Sequence, residues 1–230
     1  MTILSKSDLP ATFGAGGAEP YAAALQGTAD QAELYLHGPA SARRPGRAAM
    51  NAGRWSADAD VTDLSLLDGA AGPVLDIGCG PGRMVRAALD RGLTAVGVDV
   101  SPTAVRIALN AGLTVLSRSV FEAIPFEGTW GTLLLVDGNI GIGGDPEVLL
   151  RRCAALLGPA GVLIVEVHGD PAHELAYIGT LEDSAGRRSD SFPWAEIGVD
   201  ALSIRATAVG LYLAQAWLVD GRAFARFARR

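Results

Sequence analysis

The chain has 230 residues, 49% hydrophobic and 19% charged, with 29 glycines and a formal net charge of −6. That length supports one domain with a real core, or one domain and a small appendage. The composition excludes collagen-like and disordered chains, and the negative charge argues against a nucleic-acid partner, since phosphate binding needs a cationic face.

Residues 1–20 are small, Gly-rich and bounded by proline, so a mobile start is expected. From Tyr21 to about Leu36 the spacing of Tyr21, Leu25, Leu34 and Leu36 permits a helix. HGPASARRPG, residues 37–46, is a turn-rich connector, and residues 50–68, with Trp55 and the cluster LSLLDG, read as a short helix leading into a sheet. A regular alternation follows. Pro73–Ile77 is an apolar strand, Arg83–Asp90 a helix closed by Gly92, Thr94–Val98 the next strand, and Ser101–Pro102 caps a helix to about Asn110. Thr114–Leu116, TWGTLLLV ending at Val136, and GVLIVEVH at 161–168 are further strands, with a helix at 146–157 before the last. Apolar strands interleaved with helices imply βαβ units in a parallel sheet covered on both faces. The segment 169–195 is long and polar and is expected to wall one side of the site as a loop, with Arg187 and Arg188 solvated. A helix near 198–208 precedes LYLAQAWLV, Asp220–Gly221 and RAFARFA, and Asp-Gly between two strand-like runs signals an antiparallel hairpin. Arg222, Arg226, Arg229 and Arg230 read as its solvated edge.

The two cysteines, Cys79 and Cys153, have no metal or redox spacing and point to a reducing compartment. The start has no signal-type apolar stretch, and no run approaches the roughly 18 apolar residues of a membrane span. A cytoplasmic protein without a membrane partner is expected.

VLDIGCGPGR, residues 74–83, ends a strand on an aspartate and then gives up its side chains. Glycine admits close approaches that other residues forbid, and open parallel sheets bind ligands at the carboxyl ends of their strands, where helix N-termini favour negative charge. Asp99 closes the next strand 19 residues beyond Gly80, about where a carboxylate accepts both hydroxyls of a ribose. Dinucleotide binders carry a third glycine where Arg83 stands, whereas D-x-G-x-G-x-G is complete at Asp76, Gly78, Gly80 and Gly82.

On these motifs the sequence resembles the class I S-adenosylmethionine-dependent methyltransferases, over about residues 70–168 and the closing hairpin. The resemblance implies an α/β, Rossmann-like, seven-stranded mixed sheet of order 3-2-1-4-5-7-6 with helices on both faces, and S-adenosylmethionine as cofactor. It implies that Asp76 lies near the methionine amino group and that Gly78, Cys79, Gly80 and Gly82 form the loop against the cofactor. It further implies Asp99 on the ribose and Val100 beside the adenine. Ser119 and Val120 stand where the family commonly has an acid and a small residue against the adenine amino group. Asp137 falls where the methionine end and the substrate meet.

Methyl transfer is an in-line displacement at a sulfonium, so the protein mainly positions the reactants. An oxygen or nitrogen acceptor can also require a base within hydrogen-bond reach. Candidates are Asp137, His168 at the end of strand five, and His37 in an N-terminal segment able to fold over the cofactor. His173 and Glu166 are weaker ones; an unperturbed imidazole has a pKa near 6.5, which suits it to act as a base. Asn139, in the Gly-rich DGNIGIGGDP, and the upstream aromatics Tyr21 and Trp55 read as acceptor-binding, while Trp130, Trp194 and Trp217 read as core. No D-x-H or H-x-x-x-H pairing is present, so no metal site is expected. DGNI stands where DNA and protein N-methyltransferases carry N/D-P-P-Y/F, which moves the acceptor toward small molecules. Residues 1–68 are expected to form a helical lid and substrate segment, residues 69–230 the cofactor domain, in a monomer or homodimer. Two rivals are an NAD(P)-dependent oxidoreductase, which Arg83 and Asp76 argue against, and a cofactor-binding module without catalysis, favoured by the lack of an unmistakable base.

Overall fold

Strands that alternate with helices must bury both faces, and here the side chains divide cleanly between two layers. The computed structural model describes residues 12–13, 20–27, 33–40 and 46–229. The start expected to be mobile falls mostly, and Arg230 wholly, outside the described residues. In chain order the elements are α1 (Pro20–Gln26), β1 (Glu33–His37), β2 (Arg47–Asn51), α2 (Ala52–Ser56), α3 (Val61–Leu66), β3 (Val74–Ile77), α4 (Arg83–Asp90), β4 (Ala95–Asp99), α5 (Pro102–Asn110), β5 (Val115–Ser117) and β6 (Trp130–Leu135). A 3-10 segment at Asn139–Gly144 leads to α6 (Pro146–Leu156), β7 (Leu157–Val167), β8 (Glu174–Asp183), β9 (Phe192–Ile197), α7 (Val199–Ala208), β10 (Leu211–Val219) and β11 (Arg222–Arg229).

The main sheet runs β5-β4-β3-β6-β7-β11-β10, which is the expected 3-2-1-4-5-7-6. Its first five strands are parallel, and β11 pairs antiparallel with both β7 and β10. Leu75, Ile77, Leu133, Leu135, Leu163 and Val165 point to the face covered by α6 and α7. Their alternates Val74, Leu134 and Ile164 face α3, α4 and α5. This is the period-two division of a sheet buried on both sides. Ser101 caps α5 by accepting from the Ala104 amide, and Asp145 caps α6 by accepting from the amides of Glu147 and Val148.

A second sheet, β2-β1-β8-β9, is antiparallel throughout and was not expected. Two expectations are corrected by it. The helix over 21–36 ends at Gln26, and Glu33–His37 is a strand instead. ELYLH buries Leu34 and Leu36 on alternate positions, a period of two that the nearby Tyr21 and Leu25 disguise as helical. The long polar loop at 169–195 is largely β8 and β9. Leu36 lies opposite Leu181, and Tyr177 opposite Trp194, so strands from distant parts of the chain close one small core with α1.

Candidate active site

At the carboxyl ends of β3, β4 and β6 lies a cavity with about 1050 Å³ of empty space including its open mouth. β3 delivers Asp76 to its floor, and the turn after it supplies Gly78, Cys79 and Gly80. Gly78 has φ of +71°, and a Cβ there would stand 2.7 Å from Asn139 Nδ2. The turn closes only without a side chain. Asn139 lines the cavity with its amide nitrogen engaged: Nδ2 donates to the carbonyls of Ile77 (2.9 Å) and Gly78 (3.0 Å), stapling the loop. Gly82 is off the cavity wall. With φ of +95° and Leu113 Cδ1 2.4 Å from where its Cβ would lie, it serves the packing of α4 rather than contact with a ligand.

Asp99 ends β4 on the same wall, 9% exposed, its Oδ2 accepting from the Gly80 amide (2.8 Å) and its Oδ1 from the Ser101 amide (2.7 Å). Burial raises its pKa while those amides pull it down. The Val100 amide bonds to the carboxylate as well, and the acceptor capacity that remains is open to a hydroxyl. Val100, Ser119 and Val120 continue the wall.

Asp76 differs. It is 2% exposed, and its buried Oδ1 has no hydrogen-bond partner. Burial first, then the charges of Asp137 and Asp99, push its pKa up to about 8. A buried acid with an orphaned oxygen facing a cavity is a site for a cation. With Asp99 placed for vicinal hydroxyls and an apolar slot at Val100 and Val120, these residues fit a nucleoside that carries an ammonium group.

Asp137, at φ +56°, lines the cavity as expected, but it is not a free base. Its carboxylate bonds to Arg83 and lies 3.5 Å from Arg222 Nη2 and 3.7 Å from Arg54 Nε. Its amide donates to Glu166 Oε2 (2.7 Å), which Arg222 also holds at 2.6 Å. Asp63 of α3, fully buried, gathers the same three arginines: it bonds to Arg83, to Arg54 at 2.6 Å and to Arg222 at 2.9 Å. Arg83, the residue standing where a dinucleotide binder has glycine, is the hub of a charge network under the cavity. Burial lowers its pKa while Asp137 supports its charge.

Neither expected histidine base reaches the cavity wall. His37, in β1, lies with Nε2 3.3 Å from Glu182. His168, just past β7, accepts from the Asp170 amide at Nδ1 and stacks on His173 with ring centroids 3.8 Å apart. Both side chains are used within the second sheet and its junction with the first.

The remaining wall is aromatic. Tyr21 and Trp55 line it as expected, 5.6 Å apart, and Phe13 stands 5.2 Å from Tyr21 and 5.2 Å from Trp194. Burial, then Asp99, Cys79 and Asp137, raises the Tyr21 pKa well above its usual value. Phe13, Met50, Arg118, Phe121, Pro193 and Trp194 were missed as cavity residues. Trp194 is both core and wall, at 5% exposure, and the only signal for it was FPW after a polar run.

The fold is that of a class I methyltransferase. The chain belongs to the methyltransferase-domain family, whose profile matches residues 52–197. It is 32% identical over 156 residues to the release factor glutamine methyltransferase of Rhodospirillum rubrum, covering 52% of this chain and 46% of that one. It is 26% identical over 149 residues to the trans-aconitate 2-methyltransferase of Paracidovorax citrulli, covering 62% and 54%. The chain thus spans about half the length of these curated relatives. A SAM-dependent methyltransferase from Bacteroides fragilis, crystallised with S-adenosyl-L-homocysteine, shares the fold at a TM-score of 0.75 and 17% identity, covering 96% of this chain and 98% of that one.

Proposed function

We propose that the chain transfers the methyl group of S-adenosylmethionine to a small, largely apolar acceptor, at an oxygen, nitrogen or carbon atom. One observation carries this reading: a single cavity has a cation-seeking acid, Asp76, on its floor, a diol-accepting acid, Asp99, on its wall, and an aromatic chamber beside them. The bound cofactor would supply an electrophilic methyl group already activated by the positive sulfur. Asp76 would hold the amino group, Asp99 the ribose, and Val100 and Val120 the adenine, with Ser119 nearby. The loop of Gly78, Cys79 and Gly80 would let the cofactor lie close to the backbone.

Residues 1–68 would contribute Phe13, Tyr21, Met50 and Trp55 to the acceptor side, opposite Trp194. With Asp137 ion-paired, both histidines elsewhere and Asp76 assigned to the cofactor's amino group, no carboxylate or imidazole of the described cavity residues is left over to act as a base on the acceptor. The acceptor would therefore bring its own lone pair or anion, and alignment would supply the acceleration. A net charge of −6 supports a partner other than nucleic acid, and among the described residues no helix is long and apolar enough to cross a membrane. We read the protein as cytoplasmic, a monomer or homodimer.

Calorimetric titration tests the cofactor: S-adenosylhomocysteine binds one per chain and NAD does not. NAD binding without S-adenosylhomocysteine overturns the reading in favour of an oxidoreductase. Once the cofactor binds, turnover of aromatic amines, phenols or enols, followed as S-adenosylhomocysteine release, separates an enzyme from a silent binding module.

A further inference from the structure

Outside the cavity, three ligating side chains converge where the two sheets meet. His168 follows β7, His173 precedes β8, and Glu196 lies in β9, two residues from the cavity residue Trp194. One donor atom from each lies within 4.8 Å of the others. His173 Nε2 is 3.3 Å from Glu196 Oε2, it is buried, and it has no hydrogen-bond partner.

We propose that His168, His173 and Glu196 bind a divalent transition metal of the zinc type. Two imidazoles and a carboxylate are a donor set suited to Zn²⁺ or Co²⁺ and ill-suited to Mg²⁺ or Ca²⁺, which take oxygen donors. The donors are held from outside, as metal ligands usually are. The Tyr177 hydroxyl donates to Glu196 Oε1 at 2.7 Å, which leaves Oε2 turned toward His173. The backbone is fixed too: the His168 amide donates to the Ile197 carbonyl (2.8 Å), and the Gly198 amide to the His173 carbonyl (2.8 Å). The H-x-x-x-x-H spacing, running across a turn with the acid on a separate strand, matches no helical or finger pattern. Imidazole lone pairs lie in the ring plane, so ligation through Nε2 requires the His168 ring to turn out of its stack on His173, moves its proton to Nδ1 and gives up the bond from the Asp170 amide. That loss weakens binding by up to about tenfold. The metal is structural: it clamps the end of β7 to the strand that presents Trp194, and touches no reacting atom.

The test uses the tag-free full chain, stripped with a chelator and titrated with Zn²⁺ by calorimetry and with Co²⁺ by visible absorption. One ion binds per chain, Co²⁺ gives the intense band of a low-coordinate site, and Zn²⁺ raises the melting temperature. His173→Ala and Glu196→Gln each weaken Zn²⁺ binding at least tenfold, Tyr177→Phe weakens it less, and His37→Ala leaves it unchanged. Circular dichroism checks that the variants fold, and Glu196→Gln, nearly isosteric, keeps the test decisive where an alanine variant unfolds. Absence of saturable binding in the parent chain overturns the proposal, as does Zn²⁺ binding equal in parent and Glu196→Gln.

Discussion

Asp76 enters binding as an acid. With a pKa near 8 in the ligand-free protein, it is mostly protonated at neutral pH and must lose that proton to pair with an ammonium group. Affinity for S-adenosylhomocysteine is therefore expected to fall by about tenfold for each pH unit below 8, with nearly one proton released per cofactor at pH 7. Calorimetry in buffers of different ionisation enthalpy reads this directly, and an affinity flat from pH 6 to 8 refutes it. The sign for folding follows from the same shift. A carboxyl raised from 3.8 to about 8 on folding contributes stability that is complete below pH ~4 and is lost as the pH climbs toward 8. Cofactor binding should thus raise the melting temperature more at pH 8 than at pH 6. Asp99→Ala removes the ribose acceptor and also frees the amides of Gly80 and Ser101. It is expected to cost on the order of 2–4 kcal/mol in cofactor binding, measured against the same titration.

Among the elements, α4 depends on the residue just before it, the N-cap Gly82, having no side chain. Gly82→Ala asks for φ of +95° in a residue with Cβ and presses that Cβ to 2.4 Å from Leu113. The combined strain and overpacking should destabilise the fold by about 2–4 kcal/mol, read as a lower urea midpoint with an unchanged slope. Trp194→Ala, on β9, should raise the KM for the acceptor while leaving S-adenosylhomocysteine binding within about twofold, because Trp194 stands with the aromatic group rather than beside Asp76 or Asp99. The elements also show what a sequence reveals. The five parallel strands and the Asp220–Gly221 hairpin were legible because each announces itself locally, by an apolar run or by turn chemistry. The glycine loop and Asp99 were legible because a single turn needs those residue types at that spacing. β1 and β8 were not, because each is a half-buried strand and the pairing that joins them spans most of the chain. Likewise Arg83 could be flagged only as a missing glycine. Its partner Asp63 reaches it from another helix, and nothing in the spacing of the two residues announces the pair.

Across the whole molecule, the network of Asp63, Arg83, Arg222, Glu166 and Asp137 joins α3, α4, the C-terminal hairpin and the cavity floor. Arg222→Met leaves Asp63 and Glu166 short of a counterion, and the expected loss is about 2–4 kcal/mol by chemical denaturation. Pairing it with Glu166→Gln should recover part of that loss, and a fully additive double variant would show that the two residues do not communicate.

The joint sheet of β1, β2, β8 and β9 has a practical consequence for anyone redesigning this scaffold. Its two hairpin-like halves are bound to each other by main-chain ladders, so neither can be swapped alone without leaving a raw seam. New acceptor preferences would have to be grafted as a two-piece cassette, residues 33–51 together with 174–197, onto a nucleotide-gripping half left untouched.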